Sequence, residues 1–355
     1  MVTRQKLRGV LFGLGLAATS VAEAAVFWLD NRLPYAQATD AQRQGLLDAT
    51  GAIECADGHV GSGFLVDISE YIEGEPRLRL VVTSAKVLYR GDSGASRAPC
   101  AFRPAAAPGQ YLPIGERIFG SNVNFFMDRD DWAFATIQFG DALLPRALKL
   151  RFPEKKGAVP LDLSELRLSM AGVIGKSTGV GVVDDCTPSV PETSSRSALA
   201  RQDNSHVLVH NCDAMEQAIG GPVAMKVEGT YRVIAIHTGS SLEERGTDKR
   251  GIPFDPQRNF FNHSRRLDIE LENKLVAFIS RFAEVRSASA VVKARRLLIL
   301  AVQQRLAALE FDPGPVDGRI GFKTVEAIKS FQTTLGITPT GFVSEELLLL
   351  LNNRQ

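Results

Sequence analysis

The chain has 355 residues, enough for two or three domains that each bury a core. Its 45% apolar and 23% charged residues match a folded globular protein and exclude extended disorder. A formal net charge of +1 leaves no electrostatic basis for binding nucleic acid or a polybasic attachment to a membrane surface.

The first segment reads as an export signal. Arg4, Lys6 and Arg8 form a basic start, Val10 to Ala18 an apolar stretch, and Ala22-Glu23-Ala24 a small-polar-small cleavage pattern. A membrane anchor needs roughly 20 apolar residues, and Thr19, Ser20 and Glu23 interrupt this run early. Residues 1–24 are therefore expected to be a cleaved signal peptide, with an uncleaved anchor as the alternative. No membrane contact is expected after cleavage. The expected location is the periplasm, or the cell surface and wall of a bacterium. Four cysteines allow three pairings, and an oxidising compartment favours two disulfides. No Cys-x-x-Cys or Cys/His cluster exists, so neither a metal nor a cofactor is expected.

Residues 25–49 are polar, with Gln37, Gln42 and Gln44, and read as a lead-in or linker. From Thr50 short apolar runs alternate with turn residues. Gly61 to Val66, Leu78 to Thr83, Asp131 to Phe139 and Tyr231 to His237 read as strands of a sandwich or barrel. Thr187 to Ser205 and Gly239 to Asn262 read as loops. Leu267, Leu271, Leu275, Phe278 and Phe282 recur at helical spacing, predicting an amphipathic helix that closes this unit near residue 283. A hinge at Ser287 to Ala290, within a linker over 284–293, leads into three apolar stripes. These are Leu298, Val302, Leu306 and Leu309; then Val325, Ile328 and Phe331; then Val343, Leu347, Leu348 and Leu351. Asp312-Pro313-Gly314-Pro315 and Thr338-Pro339-Thr340-Gly341 separate them, so residues 294–355 are expected to form three helices.

Read in order, several motifs add a family resemblance. Gly61-Ser62-Gly63-Phe64-Leu65-Val66, then Val81-Val82-Thr83-Ser84-Ala85-Lys86, then Asp131-Trp132-Ala133 follow the order seen in trypsin-like serine proteases. Cys212 to Val223, containing Gly220-Gly221-Pro222, resembles the nucleophile loop of that family, and Val233 to Gly239 the strand beside its specificity pocket. The resemblance spans about residues 50–283 and implies a mainly β fold, a trypsin-like double β-barrel. It also implies that Cys55 pairs with Cys100 and Cys186 with Cys212, each closing a loop within one barrel.

Acyl transfer in such a frame needs a serine, an imidazole and a carboxylate. The resemblance puts Lys86 at the imidazole position and Ile219 at the nucleophile position, with only Asp131 kept as the acid. Gln217 stands where a glycine normally turns its N–H toward the oxyanion. Of the histidines His59, His206, His210, His237 and His263, His237 matches a pocket position of glutamate-specific members and is the candidate binding residue; His210 is expected to be structural. Lys86 facing Asp131 is expected to form a buried ion pair at the seam of the two barrels, the alternative being a surface lysine on a displaced loop. Ser84 and Lys86 could form a Ser–Lys dyad, although nothing around them marks a nucleophile.

The last sixty residues carry a second resemblance. Gln303-Gln304-Arg305-Leu306, Asp317-Gly318-Arg319-Ile320-Gly321 and Thr324 to Gln332 resemble the bacterial peptidoglycan-binding domain, which implies attachment to peptidoglycan. Two function classes follow. The first is an exported pseudoprotease whose cleft holds a protein or peptide partner, tethered at the wall. The second is an envelope hydrolase of serine type with a displaced catalytic site. A third, purely structural role needs no ligand.

Overall fold

A computed structural model of the chain describes residues 31–72, 78–90, 94–120, 128–137, 146–152, 166–175, 179–188, 206–240, 262–282, 288–337 and 339–354. The signal segment expected at 1–24 lies outside the described residues.

The first barrel grows from six strands of alternating or continuous apolar pattern. These are β2 (Thr50–Cys55), β3 (Val60–Val66), β4 (Leu80–Thr83), β5 (Cys100–Pro104), β6 (Leu112–Phe119) and β7 (Ala133–Ile137). They follow β1 (Leu33–Pro34) and close in the order β2-β3-β4-β7-β6-β5. Closure leaves no sheet edge to protect; Ile53 and Phe102 share one face of the barrel wall and Phe64, Val82 and Phe134 the other, and all five are fully buried. Gly63 leaves room for the neighbouring Ile53 side chain, which a β-carbon there would meet at 2.7 Å.

The second half is a seven-stranded sheet. It contains β8 (Leu168–Val173), β9 (Val180–Cys186), β10 (Val207–His210), β11 (Pro222–Val227), β12 (Thr230–Ser240) and β13 (Asn262–Arg266), with β1 at one edge. The order is β1-β9-β8-β11-β12-β13-β10, antiparallel throughout. Helix α1 (Ile269–Ile279), capped by the Asp268 carboxylate, buries Leu271, Leu275, Phe278 and Ile279 in the main core. The helical period read from Leu267 to Phe282 is real, but the helix stops before Phe282, which is partly exposed.

Two stretches differ from the sequence reading. The lead-in is docked over its described part, residues 31–49, not extended. Thr39 and Gln42 form a capping box, Leu46 and Leu47 are fully buried, and β1 pairs with β9. The buried Gln42 amide is satisfied by Asp184, so its polarity does not mark a linker. The expected hinge at Ser287 to Ala290 is also mostly helix, because α2 (Ala288–Ala308) starts inside it. Alanine is the best helix former, and nothing there breaks the turn. In the loops, Gly239 and Ser240 extend β12 and Asn262 opens β13, while 189–205 and 241–261 lie outside the described residues.

The helical unit comprises α2, α3 (Phe322–Thr334) and α4 (Glu345–Asn352), with Val302, Leu306, Ile328, Phe331, Leu347 and Leu351 as its core. Buried Gln303 ties its loop together, donating to the Pro315 and Arg319 carbonyls and accepting from the Gly318 N–H. The unit rests on the second sheet. Glu228, at the β11–β12 turn, accepts from Gln332 Nε2 at 2.7 Å and Ser344 Oγ at 2.9 Å. Arg232 pairs with Glu346, Arg295 with Glu272, and Phe342 packs beside Met225 and Val227. Among the described residues, no helix is long and apolar enough to cross a membrane.

Candidate functional site

The candidate site forms where the barrel meets the second sheet, and β3 is the stitch. The Ser62 N–H donates to the Ile219 carbonyl at 2.8 Å. Its hydroxyl donates to the Gln217 carbonyl at 2.7 Å and accepts from the Val173 N–H at 2.8 Å. On the other side, Gly220 N–H donates to the His237 carbonyl at 2.7 Å and His237 N–H to the Gly221 carbonyl at 2.9 Å. Gly220 holds φ at +93°, and a β-carbon there would meet the Ser62 carbonyl oxygen at 2.2 Å. The loop that carries Ile219 is therefore clamped between both halves.

Lys86 sits on a single helical turn, Ala85–Leu88, which follows β4 and is capped by Ser84. Its ammonium lies 2.9 Å from Asp131 Oδ2 and donates to the Thr238 carbonyl at 3.0 Å. Asp131 belongs to the barrel half and Thr238 to β12, so one side chain joins the two halves. Asp131 is fully buried just before β7, and its Oδ1 accepts from the Ser84 hydroxyl and the Lys86 backbone N–H. A carboxylate with an ammonium and two hydrogen-bond donors around it meets the conditions for burying a charge.

Ser84 is fully buried, and its hydroxyl donates to Asp131. A hydroxyl so placed orients the carboxylate and is not open to a substrate. The geometry gives no Ser–Lys dyad.

The chain before Ile219 forms a 3-10 turn, Glu216–Ala218. In it the Ala218 N–H donates to the Met215 carbonyl and the Ile219 N–H to the Glu216 carbonyl at 3.1 Å. Gln217 is not among the described residues with positive φ. A side chain at this position favours the regular turn over the left-handed conformation a glycine tolerates. The consequence is that the Ile219 N–H is consumed inside the loop. Ile219 itself is half-buried against the main apolar core.

Strand register brings three histidines from distant positions together. His210 on β10, His263 on β13 and His237 on β12 become neighbours because β13 lies between β10 and β12. His210 is fully buried; its Nδ1 accepts from the Cys212 N–H at 3.2 Å, leaving Nε2–H for the Ser264 hydroxyl at 2.8 Å. Burial first, then the nearby His263, pushes its pKa down to about 3. The His237 ring stands edge-on to His210, with centroids 5.6 Å apart. Neither of its ring nitrogens has a hydrogen-bond partner among the described residues. Burial, His210, His263 and Lys86 together hold it well below the usual imidazole range. His237 is thus a fully buried neutral ring between β12 and its neighbours.

The structure bridges Cys55 to Cys100 across the β2–β5 ladder and Cys186 to Cys212 beside the Ile219 loop. No group of three or more His, Cys, Asp or Glu side chains among the described residues could hold a metal. Sequence reading missed three parts of this site. The Ser84 bond to Asp131 was hidden because serine after a strand also reads as an ordinary helix cap. The use of the Glu216 carbonyl depends on backbone geometry. His210 and His263 were visible as residues, but only strand pairing makes them neighbours of His237.

Comparison with known proteins separates the two parts of the chain. Residues 295–351 match the family described as "Putative peptidoglycan binding domain". No match was found among the curated proteins. Among solved structures, a thermostable serine protease from an extremophilic microorganism aligns at 13% identity and a TM-score of 0.44. It covers 64% of this chain and 94% of its own. The protease Anisep of Arthrobacter nicotinovorans aligns at 14% identity and 0.45, with the same coverage of 64% and 94%. A Glu endopeptidase aligns at 12% identity and 0.45, covering 69% of this chain and 96% of its own. The mainly β assignment rests on the strand order itself: a closed six-stranded barrel, a second sheet and a C-terminal helical unit of the peptidoglycan-binding family.

Proposed function

We propose that this chain is an exported pseudoprotease that presents a cleft to a protein or peptide partner and is held at the bacterial wall by its helical unit. The observation that carries the first part is the Lys86–Asp131 pair at 2.9 Å, with the loop N–H of Ile219 already bonded to Glu216. An ammonium paired to a carboxylate is a poor proton acceptor, and isoleucine has no atom that can attack a carbonyl. One loop N–H beside the oxyanion position, that of Ile219, already has the Glu216 carbonyl as its acceptor. The base and the nucleophile of acyl transfer are absent and the oxyanion site is impaired, while the clamped scaffold around them is kept. Rigid scaffolds of this kind serve binding as readily as catalysis. The family match over 295–351 supports peptidoglycan as the wall ligand, and the two disulfides support an oxidising compartment.

Incubation of the pure chain with a fluorophosphonate probe tests the catalytic half of this reading. No covalent labelling is expected; labelling that disappears when one serine is replaced would overturn it. Sedimentation with purified sacculi tests the wall half. The full chain is expected to pellet with intact sacculi and to stay in solution after muramidase digestion of the same material.

A further inference from the structure

A cleft of about 360 Å³ lies at the junction of the barrel half and the helical unit, and both contribute its walls. Asp67 and Glu70 follow β3, Lys149 and Arg151 come from the segment that links barrel and sheet, and Arg295 and Glu345 come from the helical unit. The junction around it is firmly built, through Glu228, the Arg232–Glu346 and Arg295–Glu272 pairs, and the Arg151 guanidinium 3.5 Å over the Phe342 ring. The cleft is therefore preformed, as a ligand site requires.

Two of its charges, Lys149 and Glu345, are less committed than those of the docking contacts. Lys149 and Glu345 approach only to 3.8 Å, and both remain well exposed to solvent. The Glu70 carboxyl is pushed up from its ordinary value, first by desolvation against the cleft walls even though the residue as a whole is exposed, while Arg295 pulls the other way. Both signs line one small space. A neutral sugar strand makes little use of so many ionised groups, whereas a wall stem peptide carries carboxylates and the amine of its diamino residue. The volume suits a peptide of a few residues. This cleft is also separate from the Lys86 site: Arg232 and Thr238 lie six residues apart on β12, about 20 Å along the strand.

We propose that this junction cleft binds the stem peptide of a peptidoglycan fragment, with a ligand carboxylate toward Lys149 and its amine toward Glu70 and Glu345. The proposal rests on the reading of the helical unit as wall-binding. It adds that the barrel half supplies part of the wall site, so the two units recognise the ligand together.

Isothermal titration of the full chain with a purified disaccharide tetrapeptide, and with the same disaccharide lacking its peptide, tests it. One fragment is expected to bind per chain, with the peptide-free disaccharide weaker by at least about tenfold, and Lys149→Glu is expected to cost a similar factor. Glu70→Gln, which keeps the side-chain shape, should also weaken the fragment. Equal affinity for the two ligands, or fragment affinity unchanged in both variants at unchanged melting temperature, overturns the proposal. If the tetrapeptide fragment does not bind while intact sacculi still pellet the chain, the cleft assignment falls and wall binding stands. If the sacculi fail as well, the wall reading falls and the cleft assignment with it.

Discussion

Lys86 Nζ stands 2.9 Å from Asp131 Oδ2 and donates to the Thr238 carbonyl, so a single ammonium neutralises a buried carboxylate and spans the seam between barrel and sheet. Removing it leaves a fully buried charge without its counter-ion. Lys86→Ala is expected to lower unfolding free energy by about 3 kcal/mol, the lower end of the cost of stranding a buried charge, because the lysine keeps some solvent contact. Lys86→Ala with Asp131→Asn should recover part of that loss. Chemical denaturation of the two variants measures both values. An unchanged midpoint in Lys86→Ala would show that the pair contributes nothing to the seam.

The second expectation concerns repair. Placing His at 86 and Ser at 219 restores two side chains but not the loop. The Ile219 N–H is bonded to Glu216 inside the 3-10 turn, and Gln217 favours that turn. Lys86→His with Ile219→Ser is expected to stay unlabelled by a fluorophosphonate. Adding Gln217→Gly, which frees the backbone to turn its N–H outward, should raise labelling above background. Equal labelling of the double and triple variants would mean that the turn does not limit the site.

How much of this was legible beforehand depends on whether a residue's role is local. The barrel strands β3, β4 and β7 follow from short apolar runs and the stripes at Leu306, Phe331 and Leu347 from helical period, and the order of short motifs marks Lys86, Asp131 and Ile219. The lead-in was misread because the amide of Gln42 is satisfied by Asp184, 142 residues away, and a local pattern carries no trace of that contact. The sequence places Gln217 at the oxyanion position; that the chain there winds into a 3-10 turn and bonds the Ile219 N–H to the Glu216 carbonyl is backbone geometry that no residue type spells out. The burial of His237, the candidate binding residue, beside His210 is invisible in the sequence because the approach of β13 is a fact of register.

The loop clamp gives a third expectation. Gly220 has φ at +93° and no room for a β-carbon between the Ser62 carbonyl and the Thr83 hydroxyl. Both obstacles belong to the buried barrel wall, so relief requires the loop to move. Gly220→Ala is expected to cost about 2 kcal/mol or more, above the ordinary cost of a strained backbone position alone. Hydrogen exchange should show faster exchange at the Gly220 and His237 amides than in the parent. Parent-like protection at both would place the clamp elsewhere.

The disulfides set a fourth. Cys55–Cys100 and Cys186–Cys212 close loops of 45 and 26 residues, which in the chain-entropy account corresponds to about 3–4 kcal/mol each. Replacing Cys186 and Cys212 together by alanine should lower the melting temperature and also loosen the Ile219 loop that follows Cys212. Replacing Cys55 and Cys100 should lower it without changing exchange at Ile219. The two double variants therefore separate a general brace from one that shapes the cleft.

The histidine cluster predicts how stability depends on pH. His210 and His237 are held neutral when folded, the first with its pKa pushed down to about 3 and the second well below the ordinary value of 6.5, chiefly by burial. Unfolding releases both to take up protons. Their contribution is therefore fully present above about pH 6.5 and is lost as pH falls toward their folded values. Below the unfolded value the slope approaches about 1.4 kcal/mol per pH unit for each group that stays neutral in the folded chain. Lys86 and His263 face the same cluster and oppose any added positive charge there. Melting temperatures between pH 8 and 5 should fall steeply below 6.5, with near two-proton uptake on unfolding at pH 5.5. His237→Phe removes one titrating ring from this site and should reduce that uptake by about one proton. Uptake that stays at two in the variant would mean that a partner outside the cluster accounts for the slope, and that His237 is already charged in the folded chain.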